Sequence, residues 1–170
     1  MKKITIGIVT FDRTELLKRA VQSVLSQSYK NFIILIGNDN PKIKLNYKKL
    51  GLKKNKNIKI FNYKKNIGER KNLNFLLKKT NTELFCWLGD DDYLHQDFFK
   101  HLIIPFKNNQ NLVASYSNYS RAHLKLKTDS SKHIILNQEN FLEGFTSKRI
   151  RLIGTFGLLK TRYLKKIGGI

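Results

Sequence analysis

A chain of 170 residues holds one core, and 41% hydrophobic residues with eleven Phe and seven Tyr exclude a disordered polymer. The net charge of +21 narrows the partners to anions but does not choose among them. No apolar run approaches the ~20 residues that span a bilayer, which excludes a helical membrane protein.

The first segment, Met1-Lys2-Lys3-Ile4-Thr5-Ile6-Gly7, alternates rather than forming the continuous apolar stretch and cleavage site of a signal peptide. Ile4 to Val9 therefore reads as a buried strand. Thr14 is placed to cap a helix with Leu16, Leu17, Ala20, Val21, Val24 and Leu25 on one face. Phe32-Ile33-Ile34-Leu35-Ile36 is short and β-branched, so it predicts a central strand that stops at the turn cluster Gly37-Asn38-Asp39-Asn40-Pro41. Ile58 to Phe61 is a third strand. A helix from about Gly68 to Lys79 follows, with Leu73, Leu76 and Leu77 inward.

Leu84 to Leu88 is a fourth strand. It contains Cys86, the only cysteine, which reads as a buried inert thiol and excludes both an intrachain disulfide and a cysteine-based zinc site. The strand ends at Gly89 and the run Asp90-Asp91-Asp92. A helix with Phe98, Phe99, Leu102 and Ile103 as its apolar face comes next, then a fifth strand from Leu112 to Tyr119. Beyond Ser120 the pattern loosens into short strands, a short helix near Gln138 to Gly144, and a helix opening at Thr161 to Lys166. Strand and helix alternating at these lengths predict a single α/β domain, a largely parallel Rossmann-like sheet flanked by helices. Within 1–170, residues 1–119 form its ligand-binding half and 120–170 a partial second half.

Ligands of such sheets bind beyond the carboxyl ends of the strands. The turns Thr10-Phe11-Asp12-Arg13, Asn38-Asp39-Asn40 and Asp90-Asp91-Asp92 would all open on that edge, and each carries carboxylate although the chain has only twelve acids. Three consecutive carboxylates repel one another. Dispersed lysines relieve this in part, and a hard divalent cation such as Mg²⁺ or Mn²⁺, completing its shell with phosphate oxygens, relieves it more fully. In an extended loop, Asp90 and Asp92 would share a face while Asp91 points elsewhere. The competing reading is helix capping, for which one Asp suffices. Asp39 divides evenly between an ordinary turn former and an acceptor for ribose hydroxyls or a base N–H. Arg70 or Lys71, in Asn66-Ile67-Gly68-Glu69-Arg70-Lys71-Asn72, reads equally as a diphosphate contact or as ordinary helix-start charge. The four histidines lack metal-ligand spacing, and no P-loop, dinucleotide glycine fingerprint or GxSxG elbow occurs.

With these residues in place, the chain resembles the family 2 inverting glycosyltransferases of the GT-A fold. Ile6-Gly7-Ile8-Val9-Thr10-Phe11-Asp12-Arg13 is similar to that family's opening strand and Thr-Tyr-Asn-Arg turn. Ser23-Val24-Leu25-Ser26-Gln27-Ser28-Tyr29 resembles its Ser-x-Leu-x-Gln-Thr-Tyr segment, Asn38-Asp39-Asn40 its Asp-Asp-x-Ser, and Asn66-Ile67-Gly68 its Asn-x-Gly element. Leu88-Gly89-Asp90-Asp91-Asp92-Tyr93-Leu94 resembles its Leu-Asp-x-Asp-Asp-x-Leu metal motif, and the stretch to Ile167-Gly168-Gly169 its return segment. Two positions depart: Gly89 stands for the first motif Asp, and Asn38 for the first of the acidic pair.

By position, the resemblance implies that Thr10 and Asp39 lie around the nucleoside. It implies that Asp90, Asp91 and Asp92 hold Mn²⁺ or Mg²⁺ and the diphosphate of a nucleotide-diphosphate sugar, and that Arg70 adds a nucleotide contact. The acceptor would be a glycan or lipid-linked hydroxyl in surface-polysaccharide or glycan assembly. The family's general base follows the Ile-Gly-Gly element, and the chain stops at Ile170. Asp97, Asp129, Glu139 and Glu143 stand in other contexts, so no general base is assigned and truncation is expected. A truncated or degenerate donor-binding module without activity is the alternative, with a basic nucleic-acid-binding protein behind it. The charge, from 26 lysines and seven arginines spread along the chain, reads either as compositional bias or as attraction to an anionic membrane surface. A nucleic-acid partner, which wants clustered cations among exposed aromatics, is not expected. The location predicted is cytoplasmic, with peripheral contact at the inner face of the membrane as its variant.

Overall fold

A computed structural model describes residues 3–117, 135–136 and 157–169. Among them the elements run β1 (Ile4–Thr10), α1 (Thr14–Leu25), β2 (Phe32–Asn38), β3 (Ile58–Asn62), α2 (Glu69–Lys78), β4 (Leu84–Gly89), α3 (Phe98–Asn108), β5 (Ala114–Tyr116), β6 (Ile135–Leu136), β7 (Gly157–Lys160) and α4 (Thr161–Lys166). The helix expected near Gln138 to Gly144, and the far end of the strand expected to reach Tyr119, lie outside the described residues. Thr14 opens α1 rather than capping it: Arg13 holds the cap position and makes no side-chain cap hydrogen bond.

The strands form one sheet in the order β3-β2-β1-β4-β7-β5-β6. β1 lies parallel to β2 on one side and to β4 on the other, with Thr10 opposite Asn38 and Val9 opposite Gly89. The parallel part is the βαβ half expected from the alternation of strand and helix. Chain order reverses between β1 and β4, so their carboxyl ends flank a switch point where a crevice opens. β7 enters antiparallel between β4 and β5, which ties the end of the described chain into the same sheet.

Alternation along β4 shows how the sheet is packed from both faces. Leu84, Cys86 and Leu88 join Ile4, Ile6 and Ile8 against the apolar stripes of α1 and α3. Phe85 and Trp87 face the other way, toward Leu77 of α2 and Leu164 of α4. Of the α1 face, Leu17, Ala20, Val21 and Val24 are buried, and Leu25 packs at the margin. The expected α3 face is buried throughout, extended by Phe106. Burial pushes the Cys86 thiol up to about 12, so it stays protonated and chemically quiet. Among the described residues no helix is long and apolar enough to cross a membrane.

Candidate functional site

The switch point gathers three turns. The N–H of Asp39 donates to the Thr10 carbonyl at 2.8 Å, joining the ends of β1 and β2. From the β1 turn, Arg13 reaches across to the turn after β4. Its Nη1 donates to Asp91 Oδ2 at 2.7 Å, and its Nη2 ion-pairs with Asp90 Oδ1. The two adjacent carboxylates raise the Arg13 pKa against the lowering effect of partial burial, the largest single influence on it. A second arginine, Arg19 on α1, donates to the Asp91 carbonyl at 2.8 Å and lies over the Tyr93 ring. Phe11 and Tyr93 leave their rings exposed in the turns after β1 and β4.

The aspartate run is a tight turn, with the N–H of Asp92 donating to the Gly89 carbonyl at 3.3 Å. This corrects the extended-loop reading. Asp90 and Asp91, not Asp90 and Asp92, share a partner, because the turn breaks the alternation on which i and i+2 pairing depends. Among the described residues, the ion pairs to the run come from one arginine, Arg13. Capping is also ruled out as the reason for the run, since α3 begins only at Phe98. Asp91 Oδ1 and Asp92 Oδ2 fold back to within 2.9 Å of where a Cβ on residue 89 would sit, so glycine there leaves them room. Desolvation, then the neighbouring Asp91 charge, raises the Asp92 pKa.

Asp90 is the least satisfied of these groups. It is 1% exposed, and neither carboxylate oxygen has a hydrogen-bond partner of proper geometry. The close contact with Arg13 is an ion pair without that geometry. A buried carboxylate in this condition is costly unless a further cation or donor completes it. Among the described residues no three His, Cys, Asp or Glu side chains converge as a ready cage for a cation. The donor set nonetheless fits a hard divalent cation of the kind that takes one or two carboxylates and fills its shell from phosphate and water.

Asp39 is placed differently. It is 5% exposed, and its two oxygens accept from the N–H groups of Ile67, at 2.7 Å, and Gly68, at 2.9 Å. Gly68 has φ of 83°, a conformation that glycine adopts freely, and Asn66 Oδ1 also accepts from its N–H at 2.8 Å. Each Asp39 oxygen keeps a second lone pair, so a ribose hydroxyl or base N–H can join without breaking the latch. Arg70 lies exposed in the first turn of α2, directly after this latched loop.

A neutral network supports the same edge. Asn38 Nδ2 donates to the carbonyls of Asn40 and Ile43 and to Asn62 Oδ1, the last at 2.9 Å. An aspartate at 38 has no such donor, which gives a physical reason for Asn in place of the acid. Asn72, fully buried, donates to the Gly37 carbonyl at 3.0 Å and accepts from the Tyr63 hydroxyl at 3.0 Å. Gln27 does comparable work beyond the aspartate run. Its Nε2 donates to the His95 carbonyl at 2.7 Å, and its Oε1 accepts from the Phe99 N–H at 3.1 Å. Ser23 Oγ accepts from the Leu94 N–H at 3.0 Å, so the Ser23-to-Gln27 stretch braces the exit from the aspartate turn.

Thr10, Asp39, Asp90, Asp91 and Asp92 are thus brought to one edge. Arg13, Arg19, Asn72 and the bracing role of Gln27 did not emerge from the sequence. In the sequence Arg13 stands as the last residue of a turn expected on the same edge as the carboxylates and of the family-like segment Thr10-Phe11-Asp12-Arg13, with no role attached to it. A cavity of about 820 Å³ opens at the opposite end of β4, lined by Thr80, Glu83, Lys160 and Lys165 among others. It contains none of these carboxylates, and the chemistry follows the carboxylates rather than this cavity.

Residues 5–168 match the family model described as Glycosyl transferase family 2. An uncharacterized glycosyltransferase of Rickettsia conorii is 31% identical over 100 residues, 59% of this chain and 16% of that protein. One of Rickettsia felis is 29% identical over 131 residues, 77% of this chain and 21% of that protein. The chain therefore spans about a fifth or less of the length of these curated relatives. Among solved structures, S. aureus TarS 1-349 in complex with UDP-GlcNAc superposes with a TM-score of 0.70 at 16% identity, covering 97% of this chain and 47% of that one. The mannosyltransferase PcManGT from Pyrobaculum calidifontis, in complex with GDP-Man and Mn²⁺, gives 0.66 at 11% identity, covering 99% and 47%. Both share the fold of this chain.

Proposed function

The chain belongs to glycosyltransferase family 2, and on that premise we propose that its switch-point edge binds a nucleotide-diphosphate sugar with a divalent cation for glycosyl transfer. The observation that carries this reading is the buried Asp90 carboxylate, without a well-formed hydrogen bond, beside Asp91 and Asp92. TarS with UDP-GlcNAc and PcManGT with GDP-Man and Mn²⁺ add support, since both share this fold.

Asp90 and Asp91 would hold the cation, Mn²⁺ or Mg²⁺, with Asp92 as a further carboxylate beside them. When bound, the cation supplies Lewis-acid stabilisation of the charge that builds on a departing diphosphate. Thr10 and Asp39 would lie around the nucleoside, and the Asp39 latch holds Ile67 and Gly68 ahead of Arg70, which would add a further nucleotide contact. Gln27 and Ser23 keep the aspartate turn in place, so the carboxylates are oriented before the donor arrives. The reaction proposed is inverting transfer to a glycan or lipid-linked hydroxyl, in surface-polysaccharide or glycan assembly on the cytoplasmic side. The general base is not assigned to any described residue: Asp97 accepts from Ser28 Oγ at 2.7 Å, and Asp129, Glu139 and Glu143 lie outside the described residues.

A thermal-shift screen of nucleotide-diphosphate sugars, with and without Mn²⁺, tests the reading. A ligand that binds only the folded state stabilises it by mass action, by about 2.7 kcal/mol at a hundredfold excess over Kd, and so raises its midpoint. The expected result is a shift with one donor class that chelator abolishes. No shift with any donor, or one indifferent to chelator, contradicts it.

A further inference from the structure

Arg13 and Asp90 differ in their freedom to move. The Asp90 side chain is 1% exposed and fixed at the end of a central strand, whereas that of Arg13 is 49% exposed on a surface turn. One guanidinium spans two adjacent carboxylates, yet three carboxylates are present, so the turn keeps an excess of negative charge. Arg19 does not share this task, because it is committed to the Asp91 carbonyl and the Tyr93 ring.

A cation entering alone sits beside the Arg13 guanidinium, which holds one oxygen of Asp90 and one of Asp91, and the like charges repel unless Arg13 gives up a charge-assisted contact with no replacement. A cation entering with a diphosphate meets a different balance. The diphosphate restores negative charge at the turn and offers the freed guanidinium phosphate oxygens, which suit its fork geometry. We infer that Arg13 is the resident counter-ion of the aspartate turn, excluding the free cation and coupling its entry to that of the nucleoside diphosphate. This rests on the cation-dependent donor site proposed above. Arg13 is on this account a positioning residue, and its effect is read in the linkage between two ligands.

The test measures Mn²⁺ affinity by electron paramagnetic resonance, with Mn²⁺ alone and with saturating UDP or GDP, for the parent chain, Arg13→Gln and Arg13→Lys. The parent is expected to bind Mn²⁺ alone weakly and about tenfold or more tightly with a nucleoside diphosphate. Arg13→Gln is expected to bind Mn²⁺ alone about tenfold more tightly than the parent, with a smaller gain from the nucleotide. Arg13→Lys keeps the charge but not the fork and is expected in between, and it carries the test if the glutamine variant does not fold. Diphosphate-dependent Mn²⁺ binding by the parent, with variants that bind Mn²⁺ alone no more tightly, overturns the counter-ion role and leaves the donor site standing. Failure of every protein to bind Mn²⁺, with or without nucleotide, overturns both.

Discussion

Asp39 and Asp90 are both buried carboxylates at the carboxyl edge of the parallel strands, yet they are built in opposite ways. Both oxygens of Asp39 receive backbone N–H groups, so the residue is part of the fold's internal wiring and pins the loop ahead of α2. Asp90 has an ion pair to a half-exposed arginine and no well-formed hydrogen bond. Burial alone therefore does not identify a cation site. The distinction lies in what satisfies the buried charge: backbone N–H groups balance Asp39 and leave lone pairs only for a further neutral donor, whereas no well-formed hydrogen bond closes Asp90.

Removing each support separately sharpens the contrast. The larger stability effect is expected from Asp39→Ala, which orphans the Ile67 N–H, leaves the Gly68 N–H to Asn66 Oδ1 alone and frees the loop. A loss of about 2–3 kcal/mol, or roughly 5–10 °C in the midpoint, is expected in thermal denaturation. A midpoint within about 1 °C of the parent would mean that the latch contributes nothing to the fold.

A smaller effect of opposite sign is expected from Asp92→Asn. The pKa of Asp92 is raised above the ordinary 3.8, chiefly by desolvation and then by Asp91, so the folded state holds this proton more tightly than the unfolded chain. Stability from this group is present below the unfolded value and is lost as pH rises through the window up to the raised folded value. Asp92→Asn removes that loss. The variant should gain up to about 0.5 kcal/mol over the parent at neutral pH and converge with it under acid conditions. Denaturant midpoints across that range check the sign, and a variant less stable at neutral pH would contradict it.

The parts of the molecule legible in the sequence are those where side-chain period and backbone geometry agree. The alternation of β4 and the stripes of α1 and α3 could be read directly, and with them the parallel order that brings three turns to one edge. The contacts that distinguish Asp39 from Asp90 could not. Arg13 and Asp91 are 78 positions apart, and nothing local marks an arginine that will bridge two distant carboxylates. The roles of Asn38, Asn62 and Asn72 could not be read either, because an amide's role depends on which carbonyls the fold brings to it. Asn66-Ile67-Gly68 stands out in the sequence through resemblance, but its partner Asp39 emerges only once β2 and the loop before α2 are placed together. The entry of β7 between β4 and β5 was equally hidden, because its pairing is non-local and its flanks have no clear period.

The most direct test is cation-dependent donor binding by Asp90→Asn, a substitution that keeps the side chain's shape and removes its charge. Titration calorimetry with the nucleotide-diphosphate sugar selected by the thermal screen, in Mn²⁺ and in chelator, measures it. The account predicts a variant with a midpoint close to the parent's but with Mn²⁺-dependent affinity weakened about 100-fold, or ~2.7 kcal/mol. A folded Asp90→Asn that binds the donor with the parent's affinity and the same need for Mn²⁺ would contradict the claim that this carboxylate is held open for a ligand.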